Sequence, residues 1–412
     1  MTSPVSNAAL ESIMSRRRLL QAAGAGAAML SIGAGHARAG AYGATAFIGT
    51  YGPNGQGIYR VTLDPSSGRL SEAVLAAPAA NPSWLTFDRT RQVLYACNEI
   101  TDFNGGTTGS VSAYAVEGGG NLRLLNTVSS GGGAPVHLSV HPGGRFAFVA
   151  NYAGGNVAVL RLAPNGSLLG TSVVQADASA CGAAACTLGP DHAQLAPPGS
   201  FAISGHDAPH AHMVQSDPAG RFVIANDLGL DRTIVWAFDS ANGLLLNPRT
   251  TPSSAGAGPR HFAFDPSGRW FYSLNEESST LCVMAYDAST GNLSVEQELS
   301  ALPAGYAGTS FASEIVVAPD GRHLYCMNRL HDSIAIFRID GSSGRAQLVG
   351  EEWTRGSYPR SCSVDPSGRF LYVCNQRSDH VAAFRVMPEG RLQFSGQYTA
   401  VGTPAMIAFV DV

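Results

Sequence analysis

The chain of 412 residues is long enough for two or three domains or for one array of repeated units. Charged residues make up only 14% of it, and it contains 48 glycines. This composition favours many short strands joined by tight turns over long amphipathic helices. The formal net charge of -4 leaves no surplus of cations to neutralise phosphates, so we expect no nucleic-acid partner.

The first 39 residues predict a segment that is separate from the folded domain. Three arginines, Arg16 to Arg18, precede an apolar run, and Ala37-Arg38-Ala39 has the pattern of a cleavage site. The paired arginines resemble a twin-arginine export signal. Because the apolar run from Leu19 to Gly35 is short for a membrane span, we expect export and cleavage rather than a stable anchor. Residues 40–412 are then a periplasmic or secreted domain, whose partner during translocation is the export machinery.

The two ends of this domain predict the pieces of one blade of a β-propeller. Residues 44–51, 55–63 and 68–77 have the patterns of a second, third and fourth strand, and residues 403–410 have that of the missing first strand. If they join in one sheet, the ring closes without an open edge between its first and last blades.

Six further units repeat an apolar run, a tight turn and a second apolar run that ends in asparagine. The best preserved copies begin at Pro259 and Pro359, and both turns read Asp-Pro-Ser-Gly-Arg. Proline presets φ in such a turn and glycine supplies the positive φ that closes it, so antiparallel strands are predicted. The terminal asparagines are Asn98, Asn151, Asn226, Asn275, Asn328 and Asn375. Their spacing of about fifty residues predicts an all-β fold, a seven-bladed β-propeller of four-stranded antiparallel blades. A solenoid would show shorter repeats and capping ends.

One longer interval, before Asn226, predicts an insertion at about residues 177–208. It lacks a strand pattern, so we expect a surface loop that extends from the third repeated unit. We expect this loop to affect access to the neighbouring surface of the propeller. Cys181 and Cys186 lie within it, and the sequence leaves open whether they form a disulfide. Three other cysteines occupy matching places on equivalent strands and are expected to be buried apolar residues. These are Cys97, Cys326 and Cys374.

Residues that repeat from blade to blade serve the scaffold. Residues that differ between blades at equivalent positions are therefore the candidates for function. If the Asp-Pro turns lie on one face, the start of each first strand and the loop after each second strand surround the mouth of the central channel on the other. The polar residues of this predicted rim are His210, His212, Asp227, Arg260, His261, Glu276, Glu314, Arg329 and Arg360. Arginines can bind an anion or stabilise an oxyanion, and a carboxylate or histidine can take a proton from water. The same charges could instead form salt bridges between blades.

Two other types of site are not predicted. His210 and His212 are two positions apart, the spacing that puts two metal ligands on the same side of a strand. No third ligand is identifiable by spacing, so we expect no metal and no cofactor. The sequence also contains no Gly-x-Ser-x-Gly nucleophile elbow and no phosphate-binding P-loop.

An ordered series of motifs carries a family resemblance. They are Pro209-His210-Ala211-His212, Asn226-Asp227-Leu228-Gly229, Gly258-Pro259-Arg260-His261, Asn275-Glu276, Ser313-Glu314-Ile315 and Asn328-Arg329 with His331-Asp332-Ser333-Ile334. Over residues 45–410 the chain resembles the seven-bladed propeller lactonases, which include bacterial 6-phosphogluconolactonases and fungal carboxy-cis,cis-muconate cyclases. The resemblance implies a metal-independent site in which His212, Arg260, Glu276 and Arg329 act on a lactone. The other five rim residues are then expected to bind substrate.

Three functions stay open. In lactone hydrolysis, our first expectation, Glu276 or His212 would activate water while Arg260 and Arg329 hold the substrate anion and the developing oxyanion. A lactonising cycloisomerase would move a proton with the same groups and add no water. A non-catalytic periplasmic binding propeller would use an apolar surface patch. We expect a monomer that binds a small anionic or polyhydroxylated sugar lactone. An export signal fits an unphosphorylated lactone better than a cytoplasmic sugar phosphate.

Overall fold

The computed structural model describes residues 43–184, 186–203 and 205–410. The predicted leader lies outside these ranges. Twenty-nine strands of the described residues form seven antiparallel sheets, and no helix in this part of the chain is long and apolar enough to span a membrane. The seven-bladed β-propeller predicted from the repeats is therefore confirmed.

The strand bounds follow the repeat. The first blade contains β1 (Thr45–Thr50), β2 (Gly57–Asp64), β3 (Arg69–Leu70) and β4 (Val74–Pro78). The next three blades contain β5 (Pro82–Asp88), β6 (Val93–Asn98), β7 (Ser110–Glu117), β8 (Asn121–Ser129), β9 (Pro135–Val140), β10 (Phe146–Asn151), β11 (Asn156–Leu162), β12 (Leu168–Ala176), β13 (Ala211–Ser216), β14 (Phe222–Asp227), β15 (Arg232–Asp239) and β16 (Leu244–Pro252). The last three contain β17 (Pro259–Phe264), β18 (Trp270–Asn275), β19 (Thr280–Asp287), β20 (Asn292–Ser300), β21 (Phe311–Val317), β22 (His323–Arg329), β23 (Ser333–Ile339), β24 (Ala346–Trp353), β25 (Pro359–Val364), β26 (Phe370–Asn375), β27 (His380–Val386) and β28 (Leu392–Ala400).

The C-terminal strand β29 (Pro404–Val410) completes the first blade. It pairs antiparallel with β1, and Ile407 lies opposite Ile48. This is the predicted closure of the ring. The fourth strand of this blade is interrupted, because β3 and β4 both pair with β2.

The seven first strands contact one another side by side and surround the axis of the propeller. They are β5, β9, β13, β17, β21, β25 and β29. The second strands lie between neighbouring blades, and every residue of β26 is buried as a result. The fourth strands lie on the outside and are the least buried, and β8 contains only exposed and half-buried residues. The start of each first strand is thus held in a closed ring of backbone, where a site needs rigid support.

The repeated residues stabilise the scaffold. Asp265 accepts hydrogen bonds from the backbone N–H groups of Ser267, Arg269 and Trp270, and so fixes the turn between β17 and β18. Asn275 donates from its side-chain amide to the hydroxyl of Thr280 at 2.9 Å, which joins the end of β18 to the start of β19. These positions recur in other blades because each blade needs the same turn and the same strand junction.

A tyrosine in the second strand links several blades to their neighbours. The Tyr272 hydroxyl donates to the Gly344 carbonyl at 3.0 Å, and the Tyr372 hydroxyl donates to that of Gly68 at 2.7 Å. Each acceptor glycine has a positive φ in the turn between a third and a fourth strand. The tyrosines therefore serve packing between blades and not the channel.

The cysteines divide into two groups. Cys181 and Cys186 form a disulfide with their Cα atoms 5.2 Å apart, inside the irregular segment that joins β12 to β13. Cys97, Cys326 and Cys374 are buried free thiols on second strands, as expected.

Candidate active site

Each innermost strand carries a β-bulge near its start, and the bulged residue is the one predicted to line the channel. In β17 the pairing passes from Pro259 opposite Asn275 to His261 opposite Leu274, so Arg260 has no opposite residue. Comparable irregularities occur at Ser83, Val136, His212, Ser313, Arg360 and Ala405. A bulge bends the strand and re-aims the side chain of its extra residue. The fold thus presents variable side chains to the axis from seven similar irregularities, of which the one in β21 spans both Ser313 and Glu314.

One blade departs from the alignment made on the terminal asparagine. Asp227, and not Asn226, lies opposite the first residue of β13, so Asp227 does not correspond to Glu276. The buried Asp227 carboxyl group accepts hydrogen bonds from the backbone N–H groups of His210 and Leu230. Its pKa is raised by burial. The structure therefore places Asp227 as a brace for the loop that carries His210.

A carboxylate shared by two arginines lies on the rim, in the loop after β18. The Glu276 Oε2 atom is 2.8 Å from the Arg260 Nε atom and 2.6 Å from a terminal nitrogen of Arg329. All three side chains are at most 10% exposed. Arg260 also donates to the Ser313 carbonyl, and Arg329 donates to the Ala312 carbonyl at 3.1 Å. Both guanidinium groups are therefore held in fixed positions.

The electrostatics keep this cluster charged. Burial alone would raise the pKa of Glu276, but the guanidiniums of Arg329 and Arg260 hold it below its usual value. Burial and the nearby Arg329 lower the pKa of Arg260 to about 10, so Arg260 is still a cation at neutral pH. Two fixed cations and one carboxylate leave one positive charge available to an incoming anion.

A second, more exposed sector of the rim surrounds Arg360. Its guanidinium lies 3.5 Å from the Glu99 Oε2 atom and 4.9 Å from the centre of the Tyr51 ring. The Tyr51 hydroxyl donates to the same Glu99 oxygen at 2.5 Å. Burial would lower the pKa of Arg360, but Tyr51 and Glu99 raise it above its usual value. Tyr358 lies between the two sectors, because its hydroxyl accepts a hydrogen bond of 3.2 Å from Arg329 and the residue also interacts electrostatically with Arg360.

Three buried imidazoles and the half-buried indole of Trp84 form a wall of the channel. The ring of His261 lies 5.1 Å from that of His212, 5.7 Å from that of His137 and 5.2 Å from that of Trp84. Burial lowers the pKa of all three histidines well below the usual value, so they are neutral. The His261 Nδ1 atom is 3.0 Å from the Glu314 Oε1 atom. Burial raises the pKa of Glu314 to about 8.

The wall and the arginines meet at a small cavity on the axis. Its lining includes Arg260, His261, Glu314 and Arg360, together with Trp84. Its volume of about 10 Å³ for a water-sized sphere gives room for about one water molecule. The cavity therefore has room for one small molecule between His261 of the wall and Arg260 of the arginine cluster.

His210 lies apart from this cavity. Its ring stacks on that of Tyr152 with centroids 4.1 Å apart, and its two nitrogens contact the Tyr152 carbonyl and the Asp207 carboxylate. Both nitrogens are thus engaged. Among the described residues, no group of three or more His, Cys, Asp or Glu side chains has an arrangement that could hold a metal ion.

The segment between β12 and β13 is anchored beside the site by His206. The two His206 nitrogens are each 3.1 Å from a carboxylate, that of Asp231 and that of Glu277, and these side chains are at most 5% exposed. Burial lowers the pKa of His206, but the two carboxylates raise it to about 10. Asp231 also accepts from the N–H groups of Gly256 and Gly258. Since Glu277 follows Glu276 in the chain, one turn holds both the site carboxylate and the anchor.

The same segment continues across the neighbouring loops of the rim. The Gly308 N–H group donates to the Pro198 carbonyl at 2.9 Å, and the Phe201 N–H group donates to the Thr309 hydroxyl at 2.9 Å. At its other end, a Cβ atom added to Gly205 would lie 2.4 Å from the Tyr152 hydroxyl. The segment therefore packs against both the Tyr152 side of the rim and the loop that leads into β21.

Comparison with known proteins gives a consistent result. A profile described as "Lactonase, 7-bladed beta-propeller" matches residues 45–409. A 6-phosphogluconolactonase of Bacillus subtilis is 33% identical over 76% of this chain and 83% of its own length. The structure of a periplasmic gluconolactonase of Pseudomonas aeruginosa is similar with a TM-score of 0.79 and 30% identity, over 90% of this chain and 99% of that one. A putative 6-phosphogluconolactonase of Bacteroides fragilis gives a TM-score of 0.78 at 28% identity, with coverage of 90% and 99%.

Proposed function

The chain belongs to the seven-bladed β-propeller lactonase family, and on this basis we propose that it hydrolyses a sugar lactone at the mouth of the central channel. The observation that carries the proposal is the cluster of Arg260, Glu276 and Arg329. When water attacks the carbonyl carbon of a lactone, negative charge develops on the carbonyl oxygen. Two guanidiniums that are already fixed can stabilise this charge without reorganising during the reaction.

The charge of the site favours an unphosphorylated lactone. Arg260, Arg329 and Arg360 supply three positive charges, and Glu276 and Glu99 supply two negative ones. Glu314 is mostly protonated at pH 7, because burial raises its pKa to about 8. The balance among these groups is one positive charge, which matches one oxyanion. A phosphate would bring about 1.5 to 2 negative charges.

Glu276 is better suited to orient the arginines than to activate water. One of its oxygens contacts both guanidiniums, and they lower its pKa. A carboxylate in this position is a weak base, since taking a proton would break two ion pairs. The neutral imidazoles of the histidine wall are therefore the better candidates for the proton acceptor.

The experiment is lactone hydrolysis by the purified full chain, with glucono-1,5-lactone and its 6-phosphate as substrates. Acid release is followed with a pH indicator, and mass spectrometry must show a product that has gained one water. We expect Arg260→Ala to lower kcat/KM by about 100- to 1000-fold, the cost of losing one oxyanion donor. Arg338→Ala removes an exposed arginine from β23 and is the matched control.

The possible outcomes separate the hypotheses. Turnover of the neutral lactone that is lost only in the Arg260 variant supports the proposal. A higher kcat/KM for the 6-phosphate would refute the charge argument alone. No turnover above the uncatalysed rate, from a folded protein, would refute lactone hydrolysis.

A further inference from the structure

A carboxyl group and an imidazole form a pair on two adjacent inner strands. The Glu314 Oε1 atom accepts a hydrogen bond of 3.0 Å from the Ile315 N–H group and lies 3.0 Å from the His261 Nδ1 atom. Because this oxygen already accepts a backbone proton, the natural role of Nδ1 is to donate a second one. The proton of the neutral ring is then on Nδ1, and the lone pair is on Nε2.

That lone pair is buried and has no partner in the part of the chain that the structure describes. His261 is 2% exposed, and its Nε2 atom makes no hydrogen bond with any described residue. A buried polar atom without a partner costs about 1–3 kcal/mol, so the site favours a small proton donor at this position. His261 also lines the axial cavity, which has room for about one water molecule beside Arg260.

We propose that His261 is the general base that takes a proton from the attacking water, and that Glu314 positions it through Nδ1. The assignment rests on the proposed lactone hydrolysis and adds the proton acceptor to it. Neither residue belongs to the arginine cluster, so charge stabilisation and proton transfer fall to separate groups.

The step balances as follows. One water proton moves to the His261 Nε2 atom, while the water oxygen bonds to the carbonyl carbon and the π electron pair moves to the carbonyl oxygen, beside Arg260. When the carbonyl re-forms, the bond from this carbon to the ring oxygen breaks. The ring oxygen leaves with the electron pair and takes the proton back from Nε2. The product is a hydroxy acid, and His261 returns to its neutral form.

His212, the other histidine that could serve, lacks this support. Its Nδ1 atom is also buried without a hydrogen-bond partner among the described residues, and its ring is held by contacts with the rings of Tyr152 and His261 and not by a carboxyl group. A base needs both a free lone pair and a fixed direction. Of the three histidines in the wall, His261 alone has a carboxyl partner among the described residues.

The charges around Glu314 determine the expected pH dependence. Burial opposes ionisation of Glu314 and raises its pKa to about 8, although Arg260 and Arg360 attract the ionised form. The other titratable neighbours are the neutral wall imidazoles and the buried thiols of Cys326, Cys362 and Cys374. Ionised Glu314 stabilises the imidazolium that forms on His261. The rate should therefore rise with pH as Glu314 loses its proton near pH 8.

The test is the pH profile of kcat/KM for hydrolysis of glucono-1,5-lactone by the full chain and by Glu314→Gln. Glutamine keeps an acceptor oxygen for the Ile315 N–H group and the His261 ring, but it cannot ionise. We expect kcat/KM at pH 9 to fall by about 10- to 100-fold, the cost of losing a hydrogen bond to a charged partner, and the rise near pH 8 to disappear. Glu351→Gln, at an exposed carboxylate of β24, should leave both unchanged.

A double variant separates catalysis from structure. If His261 and Glu314 act as one unit, His261→Gln combined with Glu314→Gln should be no slower than the slower single variant. If the reductions in kcat/KM of the two single variants multiply in the double variant, the assignment is overturned. An unchanged pH profile in Glu314→Gln would also overturn it. A wild-type profile that is flat between pH 7 and 9 would overturn it without any variant. Absence of wild-type turnover refutes lactone hydrolysis itself, whereas wild-type turnover with an unaltered Glu314→Gln refutes only this assignment.

Discussion

Replacing His206 tests how the segment between β12 and β13 is held beside the site. In the folded protein His206 contacts two buried carboxylates, those of Asp231 and Glu277, at 3.1 Å each. His206→Asn keeps a polar side chain of similar size and removes the cation. The two carboxylates then stay buried without the charge that compensates them.

Two routes give the size of the effect. The pKa of His206 rises from an ordinary value near 6.5 to about 10, and each pKa unit corresponds to about 1.4 kcal/mol, which gives an upper value of about 5 kcal/mol. Removal of one partner from a buried ion pair costs about 3–5 kcal/mol. We therefore expect His206→Asn to weaken the docking of this segment at pH 7 by at least about 3 kcal/mol. This corresponds to at least about a 100-fold rise in its opening.

The sign of the pH dependence follows from the raised pKa. The folded state binds a proton on His206 more tightly than the unfolded state does, so the stabilisation is complete below about pH 6.5. It is lost as the pH rises through about 10. The wild-type segment should loosen over this interval, whereas that of His206→Asn should be loose throughout.

Hydrogen exchange measures this opening locally. Protection factors of the amides in 186–203 and 205–210 are compared with those of β15, across pH 6 to 10. His192→Asn, which alters an exposed histidine of the same segment, is the control and should behave like the wild type. Equal protection of the segment in wild type and His206→Asn at pH 7 would refute this account of the anchor.

Two further changes probe the scaffold. Tyr372→Phe leaves the Gly68 carbonyl without its hydroxyl donor and should lower the stability by about 1–2 kcal/mol, measured as a lower Tm. The control Tyr398→Phe, at an exposed position, should leave the Tm unchanged. Equal Tm values for the two variants would contradict the link between blades. Cys181→Ser opens a short loop closed by the bond to Cys186 and should remove at most about 2 kcal/mol, seen as faster proteolysis of the segment. A fall in the Tm of the whole propeller would contradict this local role.

The fold was predictable because its signals repeat. The Asp-Pro turns at Asp265 and Asp365 and the strand-ending asparagines each mark one blade, and the complementary strand patterns at the two termini predict the closure. Asp227 shows the weakness of this method. Since β14 ends one residue after Asn226, an alignment on the asparagine shifts the loop that follows it by one position.

The site was predictable as a set of residues but not as a set of contacts. Alignment on the turn identified Arg260, His261 and Glu314 as rim residues. The hydrogen bond from His261 to Glu314 depends on how β17 and β21 lie beside each other, which no local pattern encodes. Tyr51 escaped prediction because it follows β1, whose strand lacks the terminal asparagine. His206 escaped because the segment around it has no periodicity.

The position of β29 in the chain determines when during synthesis the candidate active site can form. This last strand is one of the seven that surround the axis, and it contributes Ala405 to the lining of the axial cavity. During synthesis every other inner strand is complete while β29 is still missing, and β25 and β5 then face an open gap. A nascent chain without β29 therefore has no enclosed cavity, and the ring acquires its site only when β29 pairs with β1.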